Sequence, residues 1–135
     1  MKKILLETLA NSRAYTLAVA AAMPADKYDF KPNDAVWNFG EQLDHIAYGI
    51  RWWQDNFISG RKTEWAPPKA EVDREKVIGH LTKAYADLEK LIRDENVNND
   101  VVKGFYATND HITHHRGQAV TYLRCQGIAA PEYVF

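Results

Sequence analysis

The chain has 135 residues, 46% of them apolar and 26% charged, enough to build one core in a single domain, residues 1–135, without staples. A formal net charge of −1 gives neither nucleic acid nor an anionic membrane an electrostatic hold, so neither is an expected partner. Cys125 is the only cysteine, which excludes an intrachain disulfide and points to a reducing, cytoplasmic setting.

Four amphipathic helices are predicted, and no stretch alternates for long enough to compete as a strand. The first covers Lys3 to Ala22. Its opening, Met1-Lys-Lys-Ile-Leu-Leu, imitates a signal peptide, but Glu7, Asn11 and Arg13 interrupt the apolar run too early. Leu5, Leu6, Leu9, Leu17 and Ala20 form its apolar side, and Pro24 closes it. The second starts at Asn38, a capping residue with Glu41 three positions on, the pattern of a capping box. Leu43, Ile46, Ala47, Ile50, Trp53 and Phe57 then repeat at helical spacing up to Gly60. The third begins near Asp73 and carries Val77, Leu81, Ala84, Tyr85, Leu88, Leu91 and Ile92. The Asn- and Asp-rich stretch from Asp94 to Gly104 reads as a link. The fourth helix is expected from about Ala107 to Gln126, stopped by Gly127. Four such helices imply an all-α four-helix bundle.

The segment His111-Ile-Thr-His-His115-Arg-Gly-Gln118 carries the chemistry. His111 and His115 are four residues apart, so on a helix both imidazoles lie on one face, at a spacing from which two nitrogens can hold one transition metal ion. The apolar direction of this helix is set by Ile112, Ala119, Val120 and Leu123. At 100° per residue His115 lies roughly 80° from it, His111 roughly 120°, and His114 nearly opposite. The wheel therefore favours the His111/His115 pair over His111/His114. His45 on the second helix is the candidate third ligand, on a line with Gly49 and Trp52. His80 flanks the apolar stripe of the third helix with no polar constellation around it and reads as a plain boundary residue.

Three segments resemble the DinB/YfiT-like superfamily of four-helix-bundle proteins with a metal site. Phe30-Lys-Pro32 followed by Trp37-Asn-Phe-Gly-Glu41-Gln-Leu-Asp-His45-Ile resembles its proline-containing link, capped helix start and first histidine. Asn109-Asp-His111-Ile-Thr-His-His115-Arg-Gly-Gln118 resembles its His-His-Arg-Gly-Gln motif, and Tyr122-Leu-Arg-Cys-Gln-Gly127-Ile-Ala-Ala-Pro131 its closing pattern. Carried over, the metal ligands fall on His45, His111 and His115. The resemblance also implies a helix order other than simple up-down-up-down, with long crossover links, and it is compatible with a homodimer.

Three neutral imidazoles leave the charge of a divalent transition metal uncancelled and positions open for substrate. Zinc or nickel leads the candidates, though imidazole also suits copper and iron. Asp44 and Gln118 are candidates for orienting a ligand, against plain alternatives of a solvated carboxylate and a packing amide. Arg116 is a candidate for holding an anionic thiol, against the plainer reading of a surface residue, and Cys125 lacks an activating partner. The resemblance implies a transferase that activates a low-molecular-weight thiol for attack on an electrophilic small molecule. A metal-dependent hydrolase is the second expectation. The third is a non-catalytic metal-binding or stress-associated interaction module, with Trp52, Trp53, Trp65 and Tyr133 as its surface.

Overall fold

The computed structural model describes residues 1–133. Its helices are α1 (Lys2–Ala22), α2 (Phe39–Trp53), α3 (Arg74–Asp94) and α4 (Asn99–Cys125), and no strand occurs among the described residues. Around the bundle the order is α1, α3, α2, α4: each packs on its two neighbours in that list, so α1 faces α2, and α3 faces α4, across the diagonal. The chain therefore does not pack its helices in sequence order. The link from Met23 to Asn38 makes the crossing from α1 to α2.

That crossing is tied down by backbone chemistry at both ends. Arg74 donates to the carbonyls of Ala21 and Met23, and the Tyr28 hydroxyl donates to that of Ala20, so the last turn of α1 is satisfied. At the far end the capping box forms as its sequence demands. Asn38 Oδ1 accepts from the Glu41 amide, and Glu41 Oε2 accepts from the Asn38 amide, both at 2.8 Å. The next two amides, of Phe39 and Gly40, donate to the carbonyls of Phe30 and Tyr28. The entry to α2 is thus fixed, and Trp37 is held beside the first turn that leads to His45.

The core is made of the apolar stripes, with Leu5, Val19, Leu43, Ile46, Ile50, Leu81, Leu88, Ile112 and Leu123 almost wholly shielded from solvent. A second buried feature sits between α1 and α3. The Tyr85 hydroxyl lies 3.0 Å from Ser12 Oγ and 2.9 Å from Thr16 Oγ1.

Two boundaries differ from the sequence expectation. Helix α4 begins eight residues before Ala107, at Asn99, because the Asn98 side chain accepts from the Val101 amide and caps it. Residues 99–106 are the helix's first two turns, leaving 95–98 as the link. The second helix does continue to Ile58, but its last stretch, Gln54–Ile58, widens into a π-helix. Gly104 permits this stretch to lie close against α4, since a methyl group there would overlap the Phe57 side chain. Gly127, at φ 68°, closes α4: its amide reaches the Arg124 carbonyl and that of Ile128 reaches Leu123, the paired bonds of a Schellman motif.

Candidate metal centre

Helices α2 and α4 meet over their facing histidines. His45 comes from the second turn of α2, and His111 and His115 from successive turns of α4. One ring nitrogen from each lies within 4.8 Å of those of the other two, and the ring centroids are 4.5–4.9 Å apart. Among the described residues no further His, Cys, Asp or Glu joins the group. His114 is exposed and not among the three, although its ring centroid lies 4.8 Å from that of His115.

The approach is possible because Gly49, one turn beyond His45, has no side chain. A methyl group there would overlap Cε1 and Nδ1 of His111. The glycine gives the imidazole the space between the helices. That is a close-approach requirement, not a matter of backbone conformation.

His111 is the least satisfied group of the cluster. Both of its nitrogens are buried without a hydrogen-bond partner, and only Trp52 Nε1 and Gln54 Oε1 share that condition among the described residues. Leaving such atoms unpaired costs about 1–3 kcal/mol each. A ligand nitrogen aimed at its two fellow imidazoles is accounted for when an ion accepts its lone pair. The donor set suits that ion: three imidazoles whose ring nitrogens are all mutually within reach.

Electrostatics keeps the donors ready. Burial, reinforced by the neighbouring imidazoles, holds His111 down at about 3 and His115 at about 4, against an ordinary 6.5. Burial also lowers His45, with the Asp44 charge pulling the other way. Near neutral pH the rings of His111 and His115 therefore carry free lone pairs and no charge.

Gln42, a residue not singled out in the sequence, fixes one of these rings. Its Oε1 lies 2.7 Å from His115 Nδ1, so that nitrogen carries the proton and Nε2 is left for a metal. The amide is oriented in turn: Gln42 Nε2 donates to Gln118 Oε1 at 2.9 Å and to the Tyr122 hydroxyl at 3.2 Å. Gln118 is thus one hydrogen bond removed from the cluster, and its own Nε2 reaches His114 Nε2 at 3.1 Å. Position 42 precedes His45 by three and shares its face, the one signal that could have found it.

Asp44 sits elsewhere. It accepts from the Glu71 amide at 2.8 Å and pairs with His80 Nδ1 at 2.7 Å, bonding to no member of the triad. His80 accordingly has the polar partner its sequence surroundings did not show. Arg116 is not a surface residue: it is 5% exposed and faces α1.

Aromatic rings enclose the triad. Trp37 lies parallel to His115 at 5.6 Å and edge-on to His45 at 4.7 Å, Trp53 is 4.9 Å from His111, and Trp65 contacts both His45 and His111. Of the tryptophans expected as packing or as a partner surface, Trp53 and Trp65 wall the site, Trp52 packs behind them, and Trp37 joins the wall; Trp37 and Trp65 keep an outer edge in solvent. Beside His45 a groove of about 300 Å³ runs between Trp37, Glu41 and the segment Pro67-Pro68-Lys69-Ala70. A second, of about 260 Å³, reaches His115 from the side of Trp37 and His114. The triad is walled but accessible.

No helix is long and apolar enough to cross a membrane among the described residues. No curated protein shows significant similarity to the sequence. The fold is similar to the 2.01 Å crystal structure of a DinB-like protein from Bacillus cereus ATCC 10987, with a TM-score of 0.79, 15% identity, and coverage of 95% of this chain and 94% of that one. At that identity the likeness establishes the fold. The family rests on the sequence itself: the family model described as the DinB superfamily matches residues 8–119, and the chain belongs to that superfamily.

Proposed function

We propose that this protein is a metal-dependent transferase in which His45, His111 and His115 hold a divalent transition metal ion and a low-molecular-weight thiol is activated to attack an electrophilic small molecule. The observation that carries the proposal is the pair of buried, partnerless His111 nitrogens inside a three-imidazole cluster that opens onto a groove. When bound, such an ion supplies Lewis acidity that lowers the pKa of a coordinated thiol or water.

The surrounding side chains favour a thiol over water. A hydrolytic site gains from a base beside its water, and the carboxylates nearest the groove are engaged elsewhere. Glu41, which lines the groove, spends its carboxylate on the helix cap, and Asp44 is bound to His80 and the Glu71 amide. A thiol ionises near neutrality once its pKa falls, and its proton passes to solvent without a dedicated base. The new bond then forms between sulfur and the electrophilic carbon as the leaving group departs with its electron pair. Trp37, Pro67 and Pro68 give the groove apolar walls for an electrophile, and Lys69 at its edge suits the negative charge of a thiol's carboxylate.

The test is thiol consumption by untagged, metal-loaded protein, with cysteine, glutathione, bacillithiol and mycothiol each offered against a panel of alkyl and aryl halides and epoxides. The reading expects metal-dependent conjugation that disappears in a His45→Ala/His115→Ala variant. Conjugation no faster than in metal-stripped protein across the whole panel would remove the transferase assignment, and metal-dependent ester or amide cleavage in its place would make the protein a hydrolase.

A further inference from the structure

The side of α4 turned towards α1 carries a second polar constellation, unconnected with the histidines. Arg116 follows His115 by one position, about 100° further round the helix, and its side chain is directed at α1. It is 95% buried, being 5% exposed. One terminal nitrogen donates to Thr16 Oγ1 at 3.2 Å and lies 3.5 Å from the Ser12 carbonyl, and the guanidinium carbon stands 4.7 Å from the centre of the Tyr15 ring. Those contacts use one corner of a five-donor fork. No hydrogen bond among the described residues engages its Nε or its other terminal nitrogen.

The charge is also unpaired, which reverses the usual pattern. Arg13, Arg61 and Arg93 each have a carboxylate within ion-pair distance; Arg51, Arg74, Arg116 and Arg124 have none among the described residues, and of these four Arg116 is the one that is buried. The unbonded nitrogens of Arg116 are not among the fully buried partnerless atoms, so the guanidinium keeps some contact with water. Its partial desolvation without a counter-charge among the described residues is still unfavourable, and the interaction with a tyrosine face offsets that only in part. The missing anion has a place to sit. Arg116 lines a cavity of about 200 Å³ whose other walls include Thr8, Asn11 and Ser12 from α1 and Asn109 and Thr113 from α4. Tyr133 completes the lining; these are neutral hydrogen-bonding side chains, and among the described residues no acidic one lines the cavity. It shares no lining residue with the grooves beside His45 and His115.

We propose that this cavity binds the carboxylate of a small molecule, with Arg116 as its charge partner. The guanidinium fork matches a carboxylate in plane and spacing. One positive charge balances a monoanion, while the dianion of phosphate would meet only neutral donors beyond it. Asn11, Asn109 and Thr113 supply those donors from the cavity walls.

The test is an NMR titration of the full-length, metal-loaded protein in chloride-poor buffer, using acetate and propionate as probes, acetamide as the neutral isostere, and inorganic phosphate. The Arg116 Nε–H signal and the side-chain amides of Asn11 and Asn109 are followed. The proposal expects saturable shifts at these signals with the carboxylates, half-complete at about 10 mM or below, and none with acetamide. Arg116→Gln should weaken the response at the asparagines more than 10-fold. Should that variant fail to fold, Asn109→Leu, which keeps the guanidinium, should weaken it several-fold. Equal responses to acetate and acetamide, no saturation at these residues, or tighter binding of phosphate than of either carboxylate would each overturn it.

Discussion

Two buried polar clusters stand on different seams of the bundle, and they solve the same problem in opposite ways. Between α1 and α3, the Tyr85 hydroxyl is hydrogen-bonded to both Ser12 and Thr16, so a polar group deep in the core is paired from within the chain. Between α2 and α4, three imidazoles converge and His111 is left with both nitrogens unpaired. The first cluster is completed within the fold; the second is a three-histidine cluster that could hold a metal ion.

The hardest test of that contrast removes the ligands. His45→Ala/His115→Ala should abolish stoichiometric metal binding, a loss well beyond the roughly 10–100-fold that follows removal of a group that merely orients a ligand. Elemental analysis of untagged protein, with titration of zinc and nickel into the stripped form, measures it. About one ion per chain in the parent and none in the variant is the expected result. An equal ion content in both would place the metal elsewhere and break the comparison at its root.

Acid offers the next largest effect. The folded-state values of His111 and His115, about 3 and about 4, lie below the 6.5 expected of the unfolded chain, so between those limits the unfolded state binds more protons. The stability this contributes is complete above pH 6.5 and is lost as pH falls towards 4 and 3. Near pH 5 the dependence of apo-protein stability on pH should correspond to roughly two protons taken up on unfolding from these two rings. Denaturant titrations at a series of pH values report that slope. His111→Ala should flatten it by about one proton, whereas Tyr85→Phe should leave it unchanged, because the hydroxyl cluster holds nothing that titrates there.

Gly49→Ala probes the same seam through shape. Alanine favours the helix by up to about 1 kcal/mol, so α2 itself gains. The added methyl group nevertheless occupies the place of Cε1 and Nδ1 of His111 and must push that ring away from its partners. Metal affinity should fall roughly 10–100-fold, by analogy with the loss of an orienting group, while circular dichroism shows an intact bundle. Unchanged affinity would mean that the ring can bind from another position and that the close approach is incidental.

The sequence was informative where one helix face or one turn decides the outcome, and silent where a partner comes from far along the chain. The Asn38–Glu41 box is a local device and forms as read, and the third helix starts where expected because the Asp73 side chain caps it. The angular positions of His111, His114 and His115 follow from helical geometry alone. Helix α4 starts early because Asn98 acts as a cap, while Asn99 and Asp100, whose composition resembles a loop, occupy its first turn. Arg116 read as a surface residue, although it lies about 40° from Ile112 on the wheel and so within the apolar sector. That is a case in which periodicity outranked residue type. The bonds of Gln42 to His115, 73 residues away, and of Asp44 to His80, 36 away, depend on how the helices cross, which no local pattern encodes.

The smallest effects draw the sharpest distinction between the two clusters. Gln42→Leu removes the acceptor that keeps the proton on His115 Nδ1, so the ring can take the wrong tautomer and turn its protonated nitrogen towards the ion. Metal affinity should drop by about tenfold, at the lower end for a ligand-orienting partner. Long-range nitrogen–proton NMR of the stripped protein should show His115 changing from the Nδ1–H form to a mixture. Tyr85→Phe should act in the other direction. It leaves the hydroxyls of Ser12 and Thr16 without their shared partner and should cost about 1 kcal/mol of stability, with metal affinity and the His115 tautomer unmoved. If Gln42→Leu instead lowered stability by a similar amount and left affinity and tautomer alone, Gln42 would belong with Tyr85 as a core polar residue. The triad would then owe its geometry to Gly49 and helix packing without help from an amide.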